Sequence, residues 1–326
     1  MKAMTAILTA ALLCGAAPAV AQTVDPSPPG ASGLTLSGPW RTGPDLAHAR
    51  SGLSAAVLDR RIYAAGGAGL TAPRDDFEVY EPETGRWSPR QPLPVGLERF
   101  AMAPFQGRVW IAGGYSAEAG SEPGVQVWSF DDDNNEWEPE TALPGPKASF
   151  SLIELGGRLY ALGGEDGAPG MFVFDPEAGA WTAVAAPAEI DRRGAAAVAA
   201  GGEIWLIGGA AAGVATARVD VFDPETGVWR IGPALPAPRA GHAAAVLDGV
   251  IHVFGGRSAD MRRTLDDHIA LTEAGWRERP SMPAARTEAA AATLEGEIWL
   301  IGGGAGAGFF APFTAVDTVD VIRPAE

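Results

Sequence analysis

The sequence predicts an all-β fold in which six copies of a four-stranded unit form a closed ring, a six-bladed β-propeller. The first observation is an apolar strand that ends in Gly-Gly and recurs six times, with second glycines at Gly67, Gly114, Gly164, Gly209, Gly256 and Gly303. The second is the period of 45 to 50 residues, which is typical of propeller blades or a solenoid. The third is an aromatic–turn–Trp hairpin that follows most copies.

One repeat, residues 239–279, shows why four strands are expected in each unit. A small apolar strand, 242–247, is followed by a tight turn and by a β-branched and aromatic strand, 250–254, that leads into Gly-Gly. After a polar loop, a third strand is predicted at 267–271, and a fourth begins at Trp276. Short strands joined by turn residues at this spacing are typical of one blade.

The outer hairpin of the unit is regular: Tyr80 and Trp87 flank Glu-Pro-Glu-Thr-Gly-Arg, which suits a type I turn followed by a left-handed residue. In the second unit the same loop, 131–136, is acidic, so a turn and a calcium loop are both open. This loop lacks the glycine and the distal glutamate of a calcium loop, and Asn135 tolerates the left-handed conformation. The turn is favoured, and we expect no metal.

Gly-Gly after an apolar strand, then an aromatic residue, six residues and Trp, resembles the kelch motif. The resemblance extends from about residue 34 to 323 and implies a six-bladed kelch β-propeller. The fifth unit departs from it, with Ile269 where the motif has an aromatic residue. The sixth unit has three strands and no Trp after the third, so residues 34–41, which contain Trp40, are predicted to close the ring as its fourth strand.

The N-terminus predicts export. Lys2 precedes a short apolar run that ends at Cys14, and small residues lead to Ala19-Val20-Ala21, as in a secretory signal, residues 1–21. Residues 22–33 are rich in Pro, Gly and Ser and are interpreted as a flexible linker before a propeller domain, 34–326. A lipoprotein anchor at Cys14 is the alternative. We expect a periplasmic or extracellular monomer without a transmembrane segment.

Charge and cysteine content limit the function. The net charge of −16 argues against nucleic acid and anionic membranes as partners. Cys14 is the one cysteine, so the exported chain would have no disulfide. The kelch-fold copper radical oxidase that acts on galactose needs a Cys–Tyr crosslink, and such chemistry is therefore not expected here. We expect no cofactor.

Candidate binding residues lie in the loops after Gly-Gly and in the crossings between blades, because the other loops are tight turns. A ligand is predicted to contact a cationic and aromatic set: Arg239, Arg257, Arg262, Arg263, Arg286, Phe309, Phe310 and Tyr115. Each crossing also carries a basic residue: Arg50, Arg99, Lys147, Arg193, Arg239 and Arg286. These six could hold an anion at the pore mouth, or bond loop carbonyls once per repeat, which the periodicity favours. The phenylalanines could anchor a partner or plug the pore.

Three functions remain open: a binding module for a protein, peptide or glycan on the loop face, a carbohydrate-active enzyme, and a structural part of an envelope complex. The enzyme hypothesis rests on the resemblance to the exported bacterial sialic-acid mutarotase, which implies an acid–base pair in the pore. Glu288 and His242, which interrupt the alanines of the inner strands, are the candidates for that pair. The binding module is favoured, because fold alone does not imply catalysis.

The export hypothesis predicts cleavage after Ala21. Mass spectrometry of the exported protein should find Gln22, or its pyroglutamate form, at the N-terminus. An N-terminal lipid on Cys14 would instead establish the anchored alternative.

Overall fold

The computed structural model describes residues 38–70, 72–119, 122–164, 167–306 and 314–324, all within one compact unit, Leu36–Glu326. The predicted signal and linker, and the candidates Phe309 and Phe310, lie outside the described residues. Six four-stranded antiparallel sheets account for most of this unit, as the repeat predicts. In the part of the chain that is described, no helix is long and apolar enough to cross a membrane.

The first three blades run in chain order from an inner to an outer strand. Blade 1 contains Ser54–Leu58, Arg61–Ala65, Phe77–Glu81 and Arg86–Pro89. Blade 2 contains Ala101–Phe105, Arg108–Ala112, Val127–Asp131 and Glu136–Pro139. Blade 3 contains Phe150–Leu155, Arg158–Gly163, Met171–Asp175 and Ala180–Val184.

The next three blades complete the ring. Blade 4 contains Ala196–Ala200, Glu203–Ile207, Val219–Asp223 and Val228–Ile231. Blade 5 contains Ala243–Leu247, Val250–Phe254, His268–Thr272 and Gly275–Arg279. Blade 6 contains Ala290–Leu294, Glu297–Ile301, Val319–Ile322 and the N-terminal Trp40–Thr42. Smaller elements are a 3-10 turn at Ala188–Ile190, an antiparallel pairing of Leu97–Glu98 with Tyr115–Ser116, and a short hairpin of Ala210–Ala211 with Val214–Ala215.

The paired glycines join neighbouring blades. The second glycine of each pair donates its N–H to a carbonyl of the next blade, and the six bonds span 2.8–3.0 Å. One of them, from Gly303 to Arg50, joins blade 6 to blade 1. Gly302 has φ +57°, and a Cβ there would lie 2.8 Å from the Arg50 carbonyl oxygen. Any larger residue would therefore push the blades apart.

The outer hairpins pair an apolar residue with Trp in every blade: Tyr80 with Trp87, Phe130 with Trp137, Phe174 with Trp181, Phe222 with Trp229, Leu271 with Trp276, and Ile322 with Trp40. The sequence prediction for blade 5 was wrong in register. Leu271, not Ile269, faces the Trp, because the turn Glu273-Ala274-Gly275 is shorter than in the other blades. In blade 2 the acidic loop is a turn, in which the Asp131 carboxylate accepts the backbone N–H groups of Asp133 and Asn134.

The N-terminal strand binds blades 5, 6 and 1 together. Trp40 pairs with Ile322, and its buried indole N–H donates to the Pro280 carbonyl of blade 5 at 3.1 Å. On the other side, the Trp87 indole of blade 1 donates to the Pro44 carbonyl at 2.9 Å. Removal of this strand would therefore expose the edge of blade 6 and both neighbouring contacts.

Deletion of residues 23–42 should destabilise the ring. Loss of the buried Trp40 side chain alone should cost about 3–5 kcal/mol, enough to lower the midpoint of thermal unfolding by roughly 10 °C. The control is deletion of residues 23–35, which spares the strand. Equal midpoints for the two truncations, measured by circular dichroism, would show that the strand does not contribute to stability.

Two histidines lie buried behind the same strand. His252 Nδ1 and His268 Nε2 are 2.9 Å apart, Trp40 packs edge-on against His268, and Phe254 stacks on it at 4.3 Å between centroids. Burial, together with the nearby charge of Arg279, lowers the pKa of His252 to about 4, and burial, with smaller effects of His252 and Arg279, lowers that of His268 to about 3. Both rings are therefore neutral at pH 7.

Acid should weaken this part of the ring. The unfolded chain titrates its histidines near pH 6.5, so it binds more protons than the folded chain below that pH. The neutral pair makes its full contribution to the free energy of unfolding above pH 6.5. This contribution is lost as the pH falls, by about 1.4 kcal/mol per pH unit for each histidine that titrates. The free energy of unfolding, measured between about pH 7 and 5, should depend less on pH in His268→Gln than in the wild type. The exposed His48→Gln is the control, and equal slopes in all three proteins would contradict the prediction.

Candidate functional site

Each blade enters its inner strand through four residues that occupy equivalent places in the ring. In blades 1 to 6 they are 50–53, 97–100, 147–150, 192–195, 239–242 and 286–289. We number them positions one to four. The first position follows the crossing from the preceding blade, and the fourth leads into the inner strand that lines the central channel.

Position one holds a buried cation in five blades: Arg50, Lys147, Arg192, Arg239 and Arg286. Each donates to the carbonyl of the first paired glycine in its own blade, as Arg50 Nη1 does to Gly66 at 3.0 Å. The four arginines also pair with carboxylates on the third strand or just before it: Glu78, Asp220, Asp267 and Asp320. These cations therefore hold each blade's own loop.

This arrangement corrects part of the predicted cationic site. Arg239 and Arg286 are 2% and 5% exposed, and their guanidinium groups bind Asp267 and Asp320, so they do not present charge to the loop face. The favoured alternative, a bond to loop carbonyls once per repeat, describes four of the six crossing residues. Arg99 and Arg193 are the exceptions, because they lie at positions three and two.

Blade 2 lacks the buried cation. Leu97 occupies position one and is fully buried, and the Gly113 carbonyl accepts a bond from the Gln126 amide at 3.1 Å instead. Glu98 at position two pairs with Tyr115, as Ser51 pairs with Ala68 in blade 1, and Leu97 extends this pairing to Ser116. The cation of this crossing, Arg99, is thereby free of the structural role that Arg50 has in blade 1.

Position three forms a closed ring at the pore mouth. The backbone N–H of each residue donates to the carbonyl of the equivalent residue in the preceding blade, and the six bonds span 2.7–3.1 Å. All six residues have φ between +51° and +66°. Three of them are glycine and three carry side chains in this left-handed conformation: Arg99, Ser149 and Glu288. Side chains are unfavourable there, and such strain often marks a functional position.

Arg99 and Glu288 meet across this ring. Arg99 Nη2 lies 3.1 Å from both Glu288 carboxylate oxygens, and its Nε lies 3.4 Å from Oε2. Arg257, in the loop after the paired glycines of blade 5, approaches Glu288 Oε1 at 3.3 Å. The Glu288 carboxylate raises the pKa of Arg99, whereas burial lowers that of Arg257. Two guanidinium groups thus share one carboxylate.

The cluster lines a cavity of about 270 Å³ at the pore mouth. Arg193 lines the same cavity, so three arginines and one glutamate surround it together with backbone and apolar groups. The cavity continues into a channel of about 500 Å³ between the alanine-rich inner strands. Glu98 lies nearby, and burial raises its pKa. The site combines a cationic entrance with a narrow channel of small side chains.

His242 lies beside this cavity at position four. The equivalent residues Leu53 and Phe100 pack on the first paired glycine of the preceding blade, and the His242 ring packs on Gly208 in the same way. It is 6% exposed, and neither ring nitrogen has a hydrogen-bond partner. Burial lowers its pKa to about 3, so the ring is neutral at pH 7. The ring occupies an apolar packing position.

The remaining candidates are spread over the loop face. Arg262 and Arg263 are exposed in the blade 5 loop, and Tyr115 is half-buried in blade 2, close enough to influence Arg99. Sequence reasoning placed Arg99 and Arg193 among the crossing cations but did not predict that they line the pore-mouth cavity. Their offset from position one was the signal that could have separated them. No group of three or more His, Cys, Asp or Glu among the described residues could hold a metal ion.

Six four-stranded blades around a polar axial cavity define a β-propeller, and comparisons identify its family. The KLHDC2/KLHL20/DRC7 kelch-repeats domain matches residues 93–256, and the kelch motif matches residues 49–94. The chain therefore belongs to the kelch-repeat family. The solved structure of YjhT is similar in fold, with a TM-score of 0.74 and 16% sequence identity over 85% of this chain and 96% of that one.

Similar curated proteins share short segments with this chain. An F-box/kelch-repeat protein of Arabidopsis thaliana is 32% identical over 28% of this chain and 24% of its own length. Human kelch-like protein 33 is 35% identical over 23% of this chain and 14% of its own. The mouse influenza virus NS1A-binding protein homolog is 35% identical over 21% of this chain and 11% of its own length. The chain thus spans less than a quarter of the length of these relatives.

Proposed function

We propose that this chain is an exported binding module whose pore mouth holds a carboxylate of a protein partner. The observation that carries the proposal is the cluster of Arg99, Arg193 and Arg257 around a single carboxylate, Glu288, in one cavity. Guanidinium groups recognise carboxylates through paired, charge-assisted hydrogen bonds. A small cationic site in a chain of net charge −16 also favours ligands that bring a localised negative group to this position.

A protein partner is favoured over a glycan by exposed apolar side chains in the loops. Leu70 and Val214 are 71% and 66% exposed in loops that follow the paired glycines of blades 1 and 4. Exposed apolar side chains suit contact with a folded or extended protein segment. Membership of the kelch-repeat family agrees with this choice, and one relative is named for binding the NS1A protein.

Binding is favoured over catalysis by the state of the two proposed acid–base residues. A general acid or base must be able to exchange a proton with its substrate near the working pH. His242 has a pKa of about 3 and packs where blades 1 and 2 have Leu53 and Phe100. Glu288 is held in ion pairs with two arginines. Neither environment resembles one that would prepare an acid–base pair.

The proposal predicts that Arg99→Ala and Arg257→Ala weaken binding to acidic peptides at least about tenfold, because each removes a guanidinium group that would pair with the ligand carboxylate in the cavity. Binding to a peptide array that varies acidic residues and C-terminal carboxylates is measured first, and selected peptides are then titrated by calorimetry. Weaker binding in high salt is expected for the wild type and less salt dependence for the variants.

The control is Arg230→Ala, which removes an exposed arginine from the outer strand of blade 4 and should leave the affinity unchanged. Equal affinities for all four proteins would refute the pore-mouth site. Glycan binding in a parallel array, without peptide binding, would refute the choice of partner. A sugar-converting activity that Glu288→Gln abolishes would establish the enzyme hypothesis instead.

A further inference from the structure

We infer that Glu288 is an internal counter-ion that occupies the carboxylate site of the pore mouth until the carboxylate of a ligand displaces it. The inference rests on the proposed function and deepens it, because it assigns Glu288 a role opposite to that of a ligand contact. In this arrangement Glu288 competes with the ligand, and it determines how tightly an incoming anion must bind the arginines in order to displace it.

The first argument is the length of its ion pairs. Glu288 oxygens lie 3.1–3.4 Å from Arg99 and 3.3 Å from Arg257. The structural pairs of position one are shorter, at 2.5 Å for Arg50 with Glu78 and 2.7 Å for Arg192 with Asp220. Strong charge-assisted bonds between nitrogen and oxygen measure about 2.7–2.9 Å. The Glu288 pairs are therefore loose compared with pairs that hold the fold.

The second argument is the balance of donors and acceptors. Among the described residues that line the cavity, Glu288 is the one carboxylate, and it faces the guanidinium groups of Arg99 and Arg257. Arg257 is 9% exposed, and its Nε has no hydrogen-bond partner. A buried donor without an acceptor is costly, so the site gains when a further anion enters. Glu288 therefore leaves a donor of Arg257 without an acceptor.

The third argument is the backbone. Position three needs a left-handed residue, and blades 1, 4 and 5 meet this need with Gly52, Gly194 and Gly241. Glu288 adopts φ +54° there, although glycine would adopt it without strain. Its side chain is thus not required by the ring of backbone bonds. A strained, dispensable side chain placed between two arginines points to a role in the site.

The cavity leaves room for the exchange. Its volume of about 270 Å³ exceeds that of a carboxylate group many times, since one water molecule takes about 30 Å³ of liquid. A ligand carboxylate can therefore enter while the Glu288 side chain turns toward the channel. The size also limits what enters to a small acidic head group, with the rest of the ligand on the loop face.

The test uses acetate as the probe and two variants that remove the charge of Glu288. Glu288→Gln keeps the shape, and Glu288→Gly restores the residue that three other blades have, so this variant should fold. Acetate binding is followed by NMR titration at constant ionic strength, and by the midpoint of thermal unfolding as a function of acetate concentration. Both variants should bind acetate at least about tenfold more tightly than the wild type, because the internal competitor is absent.

Two controls link the gain to the cluster. The double variant of Glu288→Gly with Arg99→Met should lose the gain in acetate affinity, because the guanidinium group that binds the anion has been removed. Glu203→Gln, which removes a carboxylate paired with Arg230 outside the cavity, should bind acetate as the wild type does.

The outcomes separate this inference from the proposed function. If both Glu288 variants bind acetate no better than the wild type while Arg99→Ala still weakens peptide binding, displacement is refuted and the binding site stands. If they bind acidic peptides less well, Glu288 is a ligand contact and the inference is wrong. If neither acetate nor any peptide binds to any of the proteins, the proposed function itself fails.

Discussion

The hydrogen bond from the second paired glycine to position one of the next blade determines how this ring is built. It occurs six times, includes the contact from Gly303 to Arg50, and requires two adjacent residues without side chains. Once position one is fixed in this way, position three of each blade comes within hydrogen-bond distance of its neighbours. The pore mouth is therefore a consequence of how blades are joined, and side chains at position three converge on the axis.

The same geometry gives two kinds of cation different roles. At position one, Arg239 points into its own blade and binds Asp267. Two residues further along the crossing, Arg99 points to the axis and binds a carboxylate from another blade. The substitution of Leu97 in blade 2 allows this, because Gln126 supplies the missing donor to the loop. A shift of two residues along the chain thus places a cation at the pore-mouth cavity instead of inside its own blade.

The repeat predicted the number of blades, the Gly-Gly strands and most outer hairpins, because these depend on local patterns that six copies reinforce. It did not predict that Leu271 faces Trp276, since a shorter turn changes the register without changing the composition. It also did not separate Arg99 from Arg239. That distinction depends on the positive φ angles at position three and on which blade each side chain enters. Neither of these can be read from the residue type alone.

Residues that depart from the repeat destabilise the fold to different degrees. A departure that adds backbone strain or buries a charge is the stronger functional candidate. His242 replaces leucine or phenylalanine at a packing position and stays neutral there, so the ring can accept it as an apolar side chain. Glu288 replaces glycine at a left-handed position, adds strain and brings a charge into a half-buried site. Nothing in the joining of the blades compensates for that cost. The charge of Glu288 is instead compensated by Arg99 and Arg257, whose guanidinium groups pair with its carboxylate. The proposed binding of a carboxylate would account for these three residues together, whereas His242 takes a packing position that blades 1 and 2 fill with Leu53 and Phe100.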